Sequence, residues 1–203
     1  MSVAPDSFTY FLLNKPKGVI TSTRAGTGRR TVVDFIPFSR RGEQRWYSVG
    51  LLDADSTGLV LLTDDSEFAR RLEHPKLGVV KEYRAVCTGL ADAEQLQPLR
   101  AGMYLVNPAA DGSKTTQRAA VESVRILQRL VDRARGGRTL LALTVRQGEP
   151  REIRRMLARV GLKLKELERV AIGPLRVAGL QPGTTKLLAK KDVERLRAAL
   201  LSG

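Results

Sequence analysis

The chain of 203 residues carries 35 lysines and arginines against 21 aspartates and glutamates, a formal net charge of +14 and an isoelectric point near 10.6, an excess that predicts a polyanionic partner, nucleic acid before an acidic membrane surface. Its length and 42% hydrophobic share provide a proper core, as one large domain or two small lobes. A single cysteine (Cys87) and a single histidine (His74) exclude an internal disulfide and a His/Cys zinc site, no apolar run approaches the ~20 residues of a membrane span, and 5% aromatic residues argue against a broad base-stacking platform.

The opening MSVAPDSFTYFLL lacks the basic start and cleavage site of a signal peptide. Together with the lone cysteine this gives the expectation of a reducing, cytoplasmic setting. Residues 8–13 (FTYFLL) read as a strand, residues 14–18 (NKPKG) as a turn with two exposed lysines, and residues 19–21 as a second short strand. The polar, basic, glycine-bearing stretch 22–30 reads as a mobile loop. Thr31 is placed to cap a short helix over Val32, Val33, Phe35 and Ile36 that stops before Pro37. Residues 39–45 are basic and loop-like.

Residues 49–65 (VGLLDADSTGLVLLTDD) organise the rest of the chain. Glycines before and inside the stretch, then the apolar run from Leu59 to Leu62, read as a loop feeding a buried strand. Asp53 lies in that loop, where it either bonds its own backbone as turn aspartates do or faces a cleft, and partial desolvation there sharpens a carboxylate as a nucleophile. The spacing then predicts a short helix over 66–73 ended by His74-Pro75, and a strand over 81–88 with Tyr83, Ala85 and Cys87 on one side. A helix over 92–100 carries a capping box of Asp92 and Gln95, with Pro98 inside it. Residues 103–106 and 118–127 read as two strands around a polar loop, 133–138 as a basic turn and 139–146 as a strand. Residues 150–160 (PREIRRMLARV) form the clearest helix start, with Pro150 in the first turn, an apolar stripe of Ile153, Met156, Leu157 and Val160, and Arg151, Arg155 and Arg159 on another face. Two short strands around Gly173-Pro174 fall within 164–177, and a last helix over about 189–200.

Five motifs in this order resemble those of the pseudouridine synthases, in the ribosomal-RNA branch typified by RsuA. They are Asn14-Lys15-Pro16-Lys17-Gly18; Gly50-Leu51-Leu52-Asp53 with Thr57-Gly58-Leu59 and Thr63-Asp64-Asp65; Lys81-Glu82-Tyr83; residues 147–156; and residues 167–175. The resemblance covers nearly the whole chain. Leu51 stands where the family has arginine, and Glu149 and Pro150 stand where it has a basic residue and asparagine.

The resemblance implies an α+β fold with a mixed, mostly antiparallel bent sheet, flanking helices and a central cleft. It implies a single catalytic domain over residues 1–203, in two lobes of about 1–60 and 61–203, in the form lacking an N-terminal RNA-binding domain. The activity it implies is site-specific isomerisation of uridine to pseudouridine in ribosomal RNA, large-subunit RNA first, by a monomer without cofactor or metal. Asp53 is then the nucleophile, Arg154 the cation that keeps it ionised, Tyr83 the flat partner of the flipped base, and Leu167 or Ile172 the opposite wall. Expected RNA contacts are Lys15, Leu51, Lys81, Arg151, Arg155, Arg159 and Arg169, with Lys163 and Lys165 on the same basic face as the helix arginines. Alternatives are a non-catalytic RNA-binding protein on the same scaffold, and a synthase acting on 16S ribosomal RNA or transfer RNA.

Overall fold

A computed structural model describes residues 8–23, 28–42, 44–74, 79–108, 113–132, 136–146 and 151–201. In chain order the first elements are β1 (Tyr10–Lys15), a 3-10 turn (Val32–Phe35), α1 (Phe38–Arg41), β2 (Tyr47–Val49), β3 (Thr57–Thr63) and α2 (Ser66–Glu73). There follow β4 (Lys81–Thr88), α3 (Ala93–Ala101), β5 (Met103–Pro108), β6 (Lys114–Ala119), β7 (Ser123–Asp132) and β8 (Gly136–Val145). The chain closes with α4 (Glu152–Arg159), β9 (Lys163–Ile172), β10 (Leu175–Arg176), β11 (Thr185–Leu187) and α5 (Lys190–Leu201). The fold is α+β with a mostly antiparallel sheet, as expected. Among the described residues no helix is long and apolar enough to cross a membrane.

These elements form two compact units, Met1–Val79 with Arg169–Gly203, and Val80–Glu168. The division differs from the expected boundary near residue 60. The reason is long-range pairing: the chain leaves the first unit after Val79 and rejoins it at Arg169, within β9, which lies beside β3.

The first unit holds the order β11-β1-β3-β9, with β2 also on β3 and β10 on β9. β1 pairs antiparallel with both β3 and β11. All six residues of β1 and all but the first of β3 are buried, which explains their continuous apolar runs. The core gathers Leu12, Leu59, Leu61, Phe68, Leu72, Ile172 and Leu196, and Tyr10 meets Phe68 edge-on with ring centres 5.7 Å apart. Helix α2 starts as predicted, with the Asp65 carboxylate accepting from Phe68 N at 2.9 Å. The same carboxylate accepts from the Tyr10 hydroxyl at 2.7 Å. Burial first, then this bond, pushes the Tyr10 phenol up to about 12, against a smaller opposing pull from Arg197. The acids that close the Asp53 motif therefore tie β1 to β3 and α2.

In the second unit β4 pairs antiparallel with β8, and β8 with β7. β4 alternates as expected, burying Lys81, Tyr83, Ala85 and Cys87. β5 and β6 form a separate two-stranded antiparallel ribbon.

Several local expectations change. Residues 19–21 form no strand beyond one bridge of Ile20 to Thr31. Residues 38–41 are a helical turn rather than loop. The two strands expected between 103 and 127 are three, and the first strand of the 164–177 pair extends to ten residues in β9. Asp92 does cap α3, accepting from Gln95 N at 2.7 Å, but the Gln95 amide donates to Val160 O at 2.6 Å instead of completing a capping box. Pro150, residues 24–27 and residues 133–135, on which other expectations fell, lie outside the described residues.

Candidate active site

The loop from Gly50 to Ser56 joins β2 to β3 in the first unit, and several of its peptide groups are engaged. Gly50 N donates to Glu73 Oε1 at 2.8 Å. Gly50 O accepts from Arg169 Nη2 at 3.0 Å. The Thr21 hydroxyl holds Leu52 by both ends, accepting from its N at 3.1 Å and donating to its O at 2.5 Å. Asp53 O accepts from Ser56 N at 3.0 Å. Ala54 O accepts from Gly18 N at 2.6 Å and from Lys15 Nζ at 3.5 Å. Bonds at Gly50, Leu52, Asp53 and Ala54 restrain the backbone on both sides of the residue that the loop carries. Asp53 itself is half-buried, and Asp55 is exposed.

Two buried cations flank this loop, and neither is exposed at all. Lys15 Nζ also donates to Val19 O at 2.9 Å and Pro16 O at 3.2 Å. Burial pushes the Lys15 ammonium down to about 8; Asp55 opposes that shift, Arg169 reinforces it and Asp53 opposes it. Arg169 donates through Nε to Leu59 O at 2.6 Å and through Nη2 to the carbonyls of Gly50 and, at 3.4 Å, Val49. Both glycines of the motif make room for Arg169. A Cβ on Gly50 (φ 73°) would stand 2.6 Å from its Nη1, and a Cβ on Gly58 (φ 104°) would stand 2.2 Å from its carbonyl oxygen. Three distant motifs thus meet on one loop.

This placement revises two expectations. Lys15 and Arg169 hold the loop from inside, so neither side chain offers RNA a surface: both are fully buried, with Lys15 Nζ and Arg169 Nε and Nη2 turned on backbone carbonyls. Ile172 packs into the core of the first unit, fully buried. Leu51 is 59% exposed, an apolar side chain left in solvent two residues before Asp53. Thr21 and Glu73 were not singled out in the sequence. A lone threonine after a turn and a glutamate at a helix end carry no local sign of the loop they reach across 31 and 23 residues.

The second unit carries the remaining candidates. Tyr83 is buried on β4, and Arg154 is half-buried on α4. Lys81 is buried, with Nζ 3.5 Å from Arg146 O. Leu167, in β9, is buried. Of the three arginines expected on one exposed face, Arg151 and Arg159 are exposed. Arg155 instead donates to Asn107 Oδ1 and to Val106 O, the latter at 2.6 Å, and so clips the β5–β6 ribbon to α4.

An α+β protein with a mostly antiparallel sheet and a rigidly bonded, aspartate-bearing loop is the class these features define, and three comparisons make it specific. A family model described as RNA pseudouridylate synthase matches residues 9–159. Ribosomal large subunit pseudouridine synthase B of Bacillus subtilis (strain 168) is 34% identical over 198 residues, covering 98% of this chain and 75% of that protein. Ribosomal large subunit pseudouridine synthase E of Vibrio vulnificus (strain CMCP6) is 34% identical over 179 residues, covering 86% and 73%. A crystal structure of a pseudouridylate synthase superposes with a TM-score of 0.75 at 27% identity, covering 94% of this chain and 74% of that one. The chain belongs to the RNA pseudouridylate synthase family and is an isomerase.

Proposed function

We propose that this protein isomerises specific uridines to pseudouridine in ribosomal RNA, that of the large subunit, with Asp53 as its nucleophile. Uridine and pseudouridine are isomers. The N1–C1′ bond breaks, the freed uracil turns, a C5–C1′ bond forms, C5 loses its proton and N1 ends protonated. No oxidant, reductant or external group is consumed. The step needs a carboxylate that attacks the uracil ring or the ribose, held still in a partly dry place.

The observation that carries this reading is the bracing of the Asp53 loop, in which Thr21, Lys15, Arg169 and Glu73 fix the backbone on both sides of a half-buried carboxylate. In this reading Arg154 supplies the positive charge that keeps Asp53 ionised once the substrate excludes water. Tyr83 holds the flipped base by its ring and offers its phenol for a proton, and Leu167 closes the base pocket. Leu51 takes the place that arginine has in relatives and wedges against a stacked base as an exposed apolar side chain. Lys81, Arg151 and Arg159 add charge toward phosphates. The two ribosomal large subunit synthases among the relatives support ribosomal RNA as the substrate.

Asp53→Asn keeps the shape and removes the charge. Turnover of uridine in a ribosomal RNA transcript is expected to vanish while RNA affinity persists, because phosphate contacts dominate binding. Substantial turnover by Asp53→Asn would overturn the assignment of the nucleophile. Pseudouridine maps of ribosomal RNA from cells with and without the protein identify the target, and identical maps would remove ribosomal RNA as the substrate.

A further inference from the structure

The β5–β6 ribbon stands apart from the main sheet and presents one whole face to solvent. Its register sets Tyr104 opposite Arg118, Val106 opposite Thr116 and Pro108 opposite Lys114. Because strand side chains alternate, Leu105 and Ala119 turn inward and are buried, whereas Tyr104 is 64% and Val106 47% exposed. Lys114, Thr116 and Arg118 are exposed with them. The described residues of the ribbon carry no carboxylate.

The ribbon is fixed at two points. Arg118 donates through Nη2 to Ala101 O at 2.7 Å, at the end of α3. Arg155 of α4 holds Val106 O and Asn107 Oδ1. A two-stranded ribbon otherwise has little stability of its own, so two arginine clips make a firm platform of it.

We infer that the outer face of this ribbon is an RNA-binding surface, on which Tyr104 stacks against an unpaired base and Lys114 meets a neighbouring phosphate. The inference rests on the reading that the protein acts on RNA. Charge and composition select the occupant. A protein partner calls for a wider apolar patch, whereas here one aromatic ring and one aliphatic side chain sit among hydroxyls and cations, the groups that meet bases and phosphates. A single stacking tyrosine also agrees with a chain too poor in aromatic residues for a broad platform. The surface selects substrate by gripping RNA and takes no part in bond making.

The test uses the full chain and a fluorescent transcript of a large-subunit ribosomal RNA domain. Tyr104→Ala is expected to raise Kd about ten-fold, within the range for loss of one base–aromatic stack, and Tyr104→Phe to restore binding because the ring remains. Lys114→Gln is expected to flatten the dependence of log K on log salt by about 0.7–0.9, one phosphate contact. Single-turnover rates at saturating RNA should be unchanged in all three. Unchanged Kd for a folded Tyr104→Ala together with an unchanged salt slope for Lys114→Gln overturns the inference. Failure of the functional reading is separate: it shows as turnover that survives Asp53→Asn, whatever the ribbon variants do.

Discussion

Arg169 Nη1 occupies the space where a side chain on Gly50 would begin, 2.6 Å from the position of an added Cβ. The arginine reaches the loop because residue 50 is glycine, and the loop keeps its path because the arginine takes its carbonyl. Gly50→Ala adds a methyl group at φ 73° against this guanidinium. A loss of about 1–3 kcal/mol in unfolding free energy is expected, read by denaturant titration. Arg169→Lys should not substitute, since one ammonium cannot reproduce the fork on Leu59 O and Gly50 O. A Gly50→Ala protein as stable as wild type would show that the contact yields freely.

Thr21→Val keeps the volume and removes the hydroxyl, leaving the buried N–H and C=O of Leu52 without their partner. About 2–4 kcal/mol of stability should be lost, two unsatisfied groups at the usual cost. At a temperature where the variant is folded, kcat should fall more than KM rises, because the affected peptide adjoins Asp53. Thr21→Ser should recover most of both. An equal loss in Ser and Val would mean that the methyl group, not the hydroxyl, matters.

Lys15 gives a pH signature. Its ammonium titrates near pH 8 in the fold, against 10.5 for a lysine in open water, the value that holds for the unfolded chain. Between these values the unfolded chain keeps a proton that the fold has released, so stability gains from rising pH in this window. Below pH 8 the cost of the buried charge is present in full. Denaturant midpoints of wild type minus those of Lys15→Met should therefore rise from pH 8 to 10.5. A flat difference would mean that Lys15 titrates normally.

Leu51→Arg tests the apolar wedge. It should tighten RNA binding by about 1 kcal/mol, the scale of one hydrogen bond, and leave the dependence on Asp53 unchanged. Single-turnover isomerisation on one transcript compares the two proteins. If only Leu51→Arg turned uridine over, the leucine would be a lesion rather than a wedge.

Much of the fold was legible because periodicity and end signals are local. The helix over 66–73 begins at an aspartate cap and the strand over 81–88 alternates, and both appear with their expected bounds. The apolar run after Gly58 is a buried strand. Elements that depend on partners were not legible. β11 is three residues long and exists because β1 has an edge for it. β9 extends to ten residues and lies beside β3 in the first unit. Gln95 looked like a capping side chain and went to Val160 O, 65 residues away.

The candidate site divides in the same manner. The sequence by itself determined the family motifs, the polyanionic partner and Asp53 as the carboxylate to examine, since residue type and order are enough for those. Tertiary structure decided what the surrounding cations do. Lys15 and Arg169 read as surface charges for RNA, and burial turned their donors onto the carbonyls of the Asp53 loop. Arg155 read as a third phosphate contact and became a clip for the ribbon. A cation's role is set by which acceptors lie within about 3 Å of it. Acceptors contributed by residues 39 to 120 positions away along the chain are fixed only when the strands have paired.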